Sequence, residues 1–239
     1  MNETTIPRPD RTAPAAGNRP APSATKPAWL IPAGLITLGL IPILANALRR
    51  VALSMDAGGA AESAAPLSLP VLLHILGATV FVLLGAFQFS ARLRRRRPAW
   101  HRRAGRVLVG VGLLAAFSGL WLAAFSSLPA GSGELLFVFR LLAGIGMALS
   151  IAAGFAAIRR RDIRRHRAWM IRAVAIGLGA GTQVFTLGFG EAIFGKTQLS
   201  VALLNGAGWA LNLAVAELVI RRRPRRRAGS AAARIPALP

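Results

Sequence analysis

The chain has 239 residues, 54% of them hydrophobic and only 16% charged, yet its formal net charge is +22. That apolar content exceeds what a soluble domain of this length carries. The absence of cysteine excludes disulfides, thiolate metal sites and a cysteine nucleophile, and the absence of tyrosine excludes tyrosyl chemistry.

Residues 1–27 are rich in Pro, Ala and polar side chains and read as a disordered tail. The apolar run after them has full span length, so they are not read as a cleavable signal peptide. A span needs roughly 20 apolar residues to cross the hydrocarbon layer. Six segments qualify: Ala28–Leu48, Leu69–Ala91, Ala104–Phe125, Leu135–Ile158, Ala168–Gly190 and Leu199–Ile220. Pro32 falls in the opening turn of the first, where it is tolerated, and Pro42 lies deeper, where it should kink the helix. Residues 221–239 form a second, basic tail. The expected fold is an all-α, polytopic transmembrane bundle of about six spans, with spans two to five as a core of two repeated helical hairpins and span six packed against it.

Orientation follows from the charge of the loops. The Arg92–Arg106 segment holds eight arginines, the Arg159–Arg172 segment seven and the C-terminal tail seven more. With four basic residues in the N-terminal tail, 26 of the 30 basic residues fall on one side. The acidic residues divide four and four, with Asp56, Glu62, Glu134 and Glu191 on the basic-poor side. The whole excess of positive charge therefore lies on one face, expected to be cytoplasmic together with both termini. The outer side holds the other four, Arg49, Arg50, Arg140 and Lys196. Because the arginines gather at the ends of apolar runs, the partners they imply are anionic membrane lipids and not nucleic acid. Nothing in the sequence specifies an oligomer.

Small residues recur within the spans: Gly105, Gly112 and Gly119 in the third; Gly144, Ala148 and Ala152 in the fourth; Ala173, Gly177 and Gly181 in the fifth. Such spacing makes a smooth stripe that lets helix backbones approach closely. Close packing is the plain explanation, and a Gly-lined slot for a flat ligand is the other.

The two basic hairpins echo each other. One reads Arg97-Pro98-Ala99-Trp100-His101-Arg102-Arg103-Ala104-Gly105-Arg106, the other Arg165-His166-Arg167-Ala168-Trp169-Met170-Ile171-Arg172. Each sets His-Arg at the start of an outward-going helix, with a further arginine about one and a half turns on and a tryptophan nearby. A parallel repeat of two hairpins would produce this pattern. The pair of motifs, together with His74 in Leu73-His74-Ile75-Leu76-Gly77 and Gln88 at the end of the same helix, resembles the bacterial family of predicted membrane proteins catalogued as domain of unknown function 2306. The resemblance covers roughly residues 70–190. It implies the architecture and the choice of residues, and a bacterial plasma-membrane location, but no activity.

Two groups of residues carry candidate chemistry. His74 lies about five residues, or ~8 Å, below the outer end of the second span. It shares a small, polar helical face with Gly77, Phe81, Gly85 and Gln88. Arg140, Gln183 and Asn205 fall at similar depth, ~7–10 Å down their own spans. An ionisable residue at membrane depth is a functional candidate, so His74, Arg140, Gln183 and Asn205 are expected to converge on one outward-open polar pocket. Against this stand a neutral His74 hydrogen-bonded to a neighbouring helix and an Arg140 that snorkels to the headgroups. On the inner side, Gln88, His101, Arg102, Arg106, His166, Arg167, Trp169 and Arg172 form a candidate anion or cofactor site, since helix starts with adjacent arginines favour anions. The alternative there is topology and anionic-lipid binding, with the tryptophans as interfacial anchors.

His101 and His166 lie at one depth, as a haem bound by two histidines requires, whereas three histidines cannot ligate two such haems. One haem therefore stays open as a cofactor. No carboxylate cluster accompanies the histidines, so no metal site is expected. Glu217 is read as an i,i+4 partner of Arg221, and Asn205 and Asn212 as interhelical hydrogen-bonding groups beside Gly208. The sequence contains no phosphate loop, nucleophile elbow or His-Glu-x-x-His helix. Three functions remain: an accessory or lipid-organising protein, a small-molecule or proton-coupled transporter with a pocket around His74, and a redox protein binding haem or quinone near His101 and His166.

Overall fold

The structure, a computed structural model, describes residues 29–56, 68–126 and 133–222. The expected N-terminal tail lies outside the described residues, as does the C-terminal tail from residue 223 on. Eight helices make up the described chain: α1 (Leu30–Asp56), α2 (Leu69–Gln88), α3 (Ala91–Arg96), α4 (Pro98–Phe125), α5 (Gly133–Arg159), α6 (Ile163–Gly177), α7 (Gly179–Phe194) and α8 (Gln198–Arg221). Five of them (α1, α2, α4, α5 and α8) are long and apolar enough to cross a membrane, and α6 with α7 make a sixth crossing bent by 44°.

The local chemistry accounts for where the helices start. Ser90 caps α3 by accepting from the Leu93 amide at 3.3 Å. Asp162 caps α6 through the Arg165 amide at 2.9 Å. Thr197 and Ser200 form a reciprocal capping box on α8. Pro98 opens α4, where its missing N–H is no loss.

The helices form a ring. α1 packs on α2, α2 on α4, α4 on α5, α5 on α8, α8 on α7, and α7 back on α1. α6 lies inside, against α2, α5 and α8. The tightest packing is within the α2–α4 and α5–α6 hairpins, both of which turn at the arginine-rich end. Their shared core holds Phe81, Leu108, Ala115, Met147, Ile151, Ala173 and Val174. Phe81 and Ile151 are its largest fully buried side chains, at 1% and 0% exposure.

The small-residue stripes are filled by neighbouring side chains. A Cβ at Gly112 would stand 2.7 Å from the Phe81 ring and 2.8 Å from Ile151 Cδ1. One at Gly144 would stand 2.6 Å from Leu120 Cδ2. Gly105 has open space around it and takes no part in close packing.

The first and third expected spans fall on longer helices, α1 running on to Asp56 and α4 starting at Pro98, and the second and fifth differ in where they end or break. The second ends at Gln88 rather than Ala91, because Ser90 restarts the helix and five arginines between Arg92 and Arg97 must leave the hydrocarbon. The fifth breaks at Leu178. There Trp209 of α8 presses on Gly179, and the Leu38 carbonyl of α1 lies against Gly181. An unbroken helix bearing ordinary side chains would leave room for neither.

Candidate functional site

Of His74, Arg140, Gln183 and Asn205, only Gln183 and Asn205 share a seam. His74 Nδ1 donates to the Ala115 carbonyl at 2.9 Å and lies 3.4 Å from Ser118 Oγ. Ser118 Oγ itself donates to Leu114 O at 2.6 Å and reaches Ala115 O at 3.2 Å. The imidazole packs over Gly119, where a Cβ would meet its Cε1 at 3.0 Å. His74 thus ties α2 to α4.

Gln183 and Asn205 are brought together in the α7–α8 seam. Gln183 Nε2 donates to Asn205 O at 3.1 Å, and Asn205 Nδ2 donates to Val201 O at 2.7 Å. Beside them Thr186 Oγ1 donates to Leu204 O at 2.8 Å. Among the described residues neither α2 nor α4 packs against α7 or α8, so His74 is not joined to this pair. Arg140 is half-buried on α5, on the stripe that runs from buried Leu136 past Gly144 to Met147 and Ile151. It has no hydrogen bond or ion pair among the described residues.

At the arginine-rich end, His166 Nδ1 donates to Gly154 O at 2.9 Å, fastening α6 to α5 and leaving Nε2 as the ring's free nitrogen. His101 lies within electrostatic reach of His166, Arg94 and Arg102. Gln88 stands at the end of α2, and its Nε2 is buried without a partner among the described residues.

Arg172 is committed elsewhere. Its Nε donates to Glu217 Oε1 at 2.6 Å, and its guanidinium lies 4.7 Å over the Trp169 ring. Arg221, the i,i+4 partner read from the sequence, reaches the other carboxylate oxygen only at 3.9 Å. Arg172 therefore joins α6 to α8, with Trp169 beneath its guanidinium. Arg102, Arg106 and Arg167 are exposed and form no ion pair among the described residues. No group of three or more His, Cys, Asp or Glu there is placed to hold a metal ion.

Two open, shallow clefts lie elsewhere at the same end, around α3. One, of about 180 Å³, is lined by Ser90, Arg92, Leu93, Arg96 and Arg97. The other, of about 510 Å³, is lined by Arg96, Arg97, Pro98, Ala99, Trp100 and Arg103. Trp100 is held edge-on against Phe87, with ring centroids 6.5 Å apart. Of these lining residues none was a candidate from the sequence. A signal was present: Ser90 before Ala-Arg-Leu marks a helix restart, which turns a loop of arginines into a shaped elbow.

A bundle of apolar helices of this length, with its charge gathered at one end, defines a multi-pass α-helical membrane protein. Residues 71–220 match the family model described as a predicted membrane protein (DUF2306), and the chain belongs to that family. No curated protein and no solved structure matches the chain.

Proposed function

We propose that the chain is a non-catalytic, lipid-organising protein of the bacterial plasma membrane, with both termini and the arginine-rich end in the cytoplasm. The observation that carries this reading is the pair of arginine-lined clefts around α3, set beside a tryptophan at the level where interfacial anchors sit. Anionic headgroups on the cytoplasmic leaflet are the partners such clefts suit. Two further facts support it. His74, Gln183, Asn205 and Asn212 spend their hydrogen bonds within the bundle. Among the described residues the acids on this side are taken as well: Asp162 pairs with Arg165, and Glu217 with Arg172 and Arg221. Arg92, Arg96, Arg97 and Arg103 form no ion pair among the described residues and remain available for phosphate.

The test is lipid binding by the full chain in nanodiscs or detergent. Phosphatidylglycerol should raise the melting temperature and remain bound through mild delipidation, whereas phosphatidylcholine should do neither. Each arginine near the surface contributes about 1 kcal/mol, or roughly fivefold in affinity. The triple variant Arg96→Gln, Arg97→Gln, Arg103→Gln should therefore weaken phosphatidylglycerol binding by on the order of a hundredfold. Equal binding of the anionic and zwitterionic lipids would overturn the proposal.

A further inference from the structure

The two clefts share Arg96 and Arg97, which stand as a common wall between them. We propose that they form one bipartite site for a lipid carrying two phosphates on one headgroup, one phosphate to each side of the Arg96–Arg97 wall. This rests on the anionic-lipid reading above and narrows it to a ligand class.

Charge matches that ligand. Arg92 belongs only to the smaller cleft and Arg103 only to the larger, so four arginines face two phosphates, with no carboxylate among the lining residues. The guanidinium fork suits phosphate at each position. Shape matches it too. The larger cleft has Trp100 and Pro98 in its lining, and Trp100 leans on Phe87 at the end of α2. That side therefore meets the acyl chains, while the smaller cleft is lined by Ser90 and the first turns of α3. Ser90 Oγ is held by the Leu93 amide, which fixes the cap and leaves its hydroxyl proton free to donate to a phosphate oxygen. Two phosphates joined by a short bridge bind the second cleft at a raised effective concentration, whereas two separate single-phosphate lipids do not.

The experiment is a competition on the full chain in nanodiscs, between cardiolipin and phosphatidylglycerol at equal total phosphate, followed by native mass spectrometry. The wild type should retain cardiolipin at least about tenfold better. Arg92→Gln and Arg103→Gln, each removing an arginine unique to one cleft, should abolish that preference, while each weakens phosphatidylglycerol retention only by the roughly fivefold that one arginine contributes. Equal retention of the two lipids by the wild type would overturn the bipartite site but leave the anionic-lipid reading standing. Retention of neither above phosphatidylcholine would overturn both. Displacement of cardiolipin by submillimolar inorganic pyrophosphate would overturn the assignment to a lipid, in favour of a soluble diphosphate.

Discussion

Asn212 Nδ2 donates to the Ala175 carbonyl at 3.1 Å, the bond that an unbroken helix would have given to the Gly179 amide. The break at Leu178 frees that carbonyl, and in a membrane a freed carbonyl needs a protein partner. Asn212 Oδ1 at the same time accepts from Thr182 Oγ1, at 2.8 Å, on the far side of the break. One side chain of α8 therefore holds both halves of the bent crossing.

Asn212→Leu should accordingly lower thermal stability in detergent by about 1–2 kcal/mol, since both partners lose their bonds. A double-mutant cycle with Thr182→Val should return a coupling of ~0.6 kcal/mol. Because the chain has no cysteine, single cysteines placed along α7 can report its exposure by thiol labelling. Labelling should rise in Asn212→Leu; unchanged labelling and stability would show that Trp209 and Leu38 hold the break without it.

The apolar spans and their common charge pattern were legible because burial in lipid imposes long, continuous hydropathy. The break at Leu178 was not. Ala173, Gly177 and Gly181 read as a packing stripe, and the groups that exploit it, Trp209 and Asn212, come from a helix about 30 residues on. The same limit applied to Arg172. Local spacing pairs Glu217 with Arg221, whereas the shorter bond comes from Arg172, 45 residues away. At the candidate sites, Gln183 and Asn205 were placed at one depth and do meet. Depth alone carries no information on azimuth, however, so it did not reveal that His74 faces α4. The α3 elbow was hidden because an arginine run reads as loop unless the Ser90 cap is weighed.

The glycines of α4 should respond unequally to alanine. Gly112→Ala drives a methyl into Phe81 and Ile151, both fully buried and without room to yield. Overpacking of that kind costs about 1–3 kcal/mol. Gly105→Ala meets nothing within 4 Å, and the gain in helix propensity should leave it neutral or up to ~1 kcal/mol more stable. Thermal melts of the two variants side by side check this; equal losses would mean that the interface between α4 and its neighbours is looser than the contacts imply.

The Arg172–Glu217 pair should be a modest contributor. Its side chains are 27% and 33% exposed, so solvent screens much of the Coulomb term. A cycle between Arg172→Met and Glu217→Gln is expected to give about 0.5–1 kcal/mol of coupling, with Arg221→Gln changing stability by less than ~0.5 kcal/mol. A larger loss from Arg221→Gln than from Arg172→Met would reverse the order of partners.

Arg140 separates a structural cost from an external partner. The residue is half-buried and lies between Leu136 and Gly144 on one stripe of α5, with no hydrogen bond or ion pair among the described residues. It begins seven residues after Gly133, or ~10 Å along the helix, where a charge on a spanning segment is still expensive. Removing one half of an ion pair would strand the other, but among the described residues there is no other half to strand. Arg140→Met keeps the apolar stem and should leave stability unchanged or raise it by about 1–2 kcal/mol. The measurement is a melt of both proteins in neutral detergent and again in anionic nanodiscs. A gain in detergent that vanishes in anionic nanodiscs would mean that a lipid phosphate reaches Arg140 from the leaflet at its end of the bundle, while a loss in both would mean that the guanidinium has a partner inside the bundle.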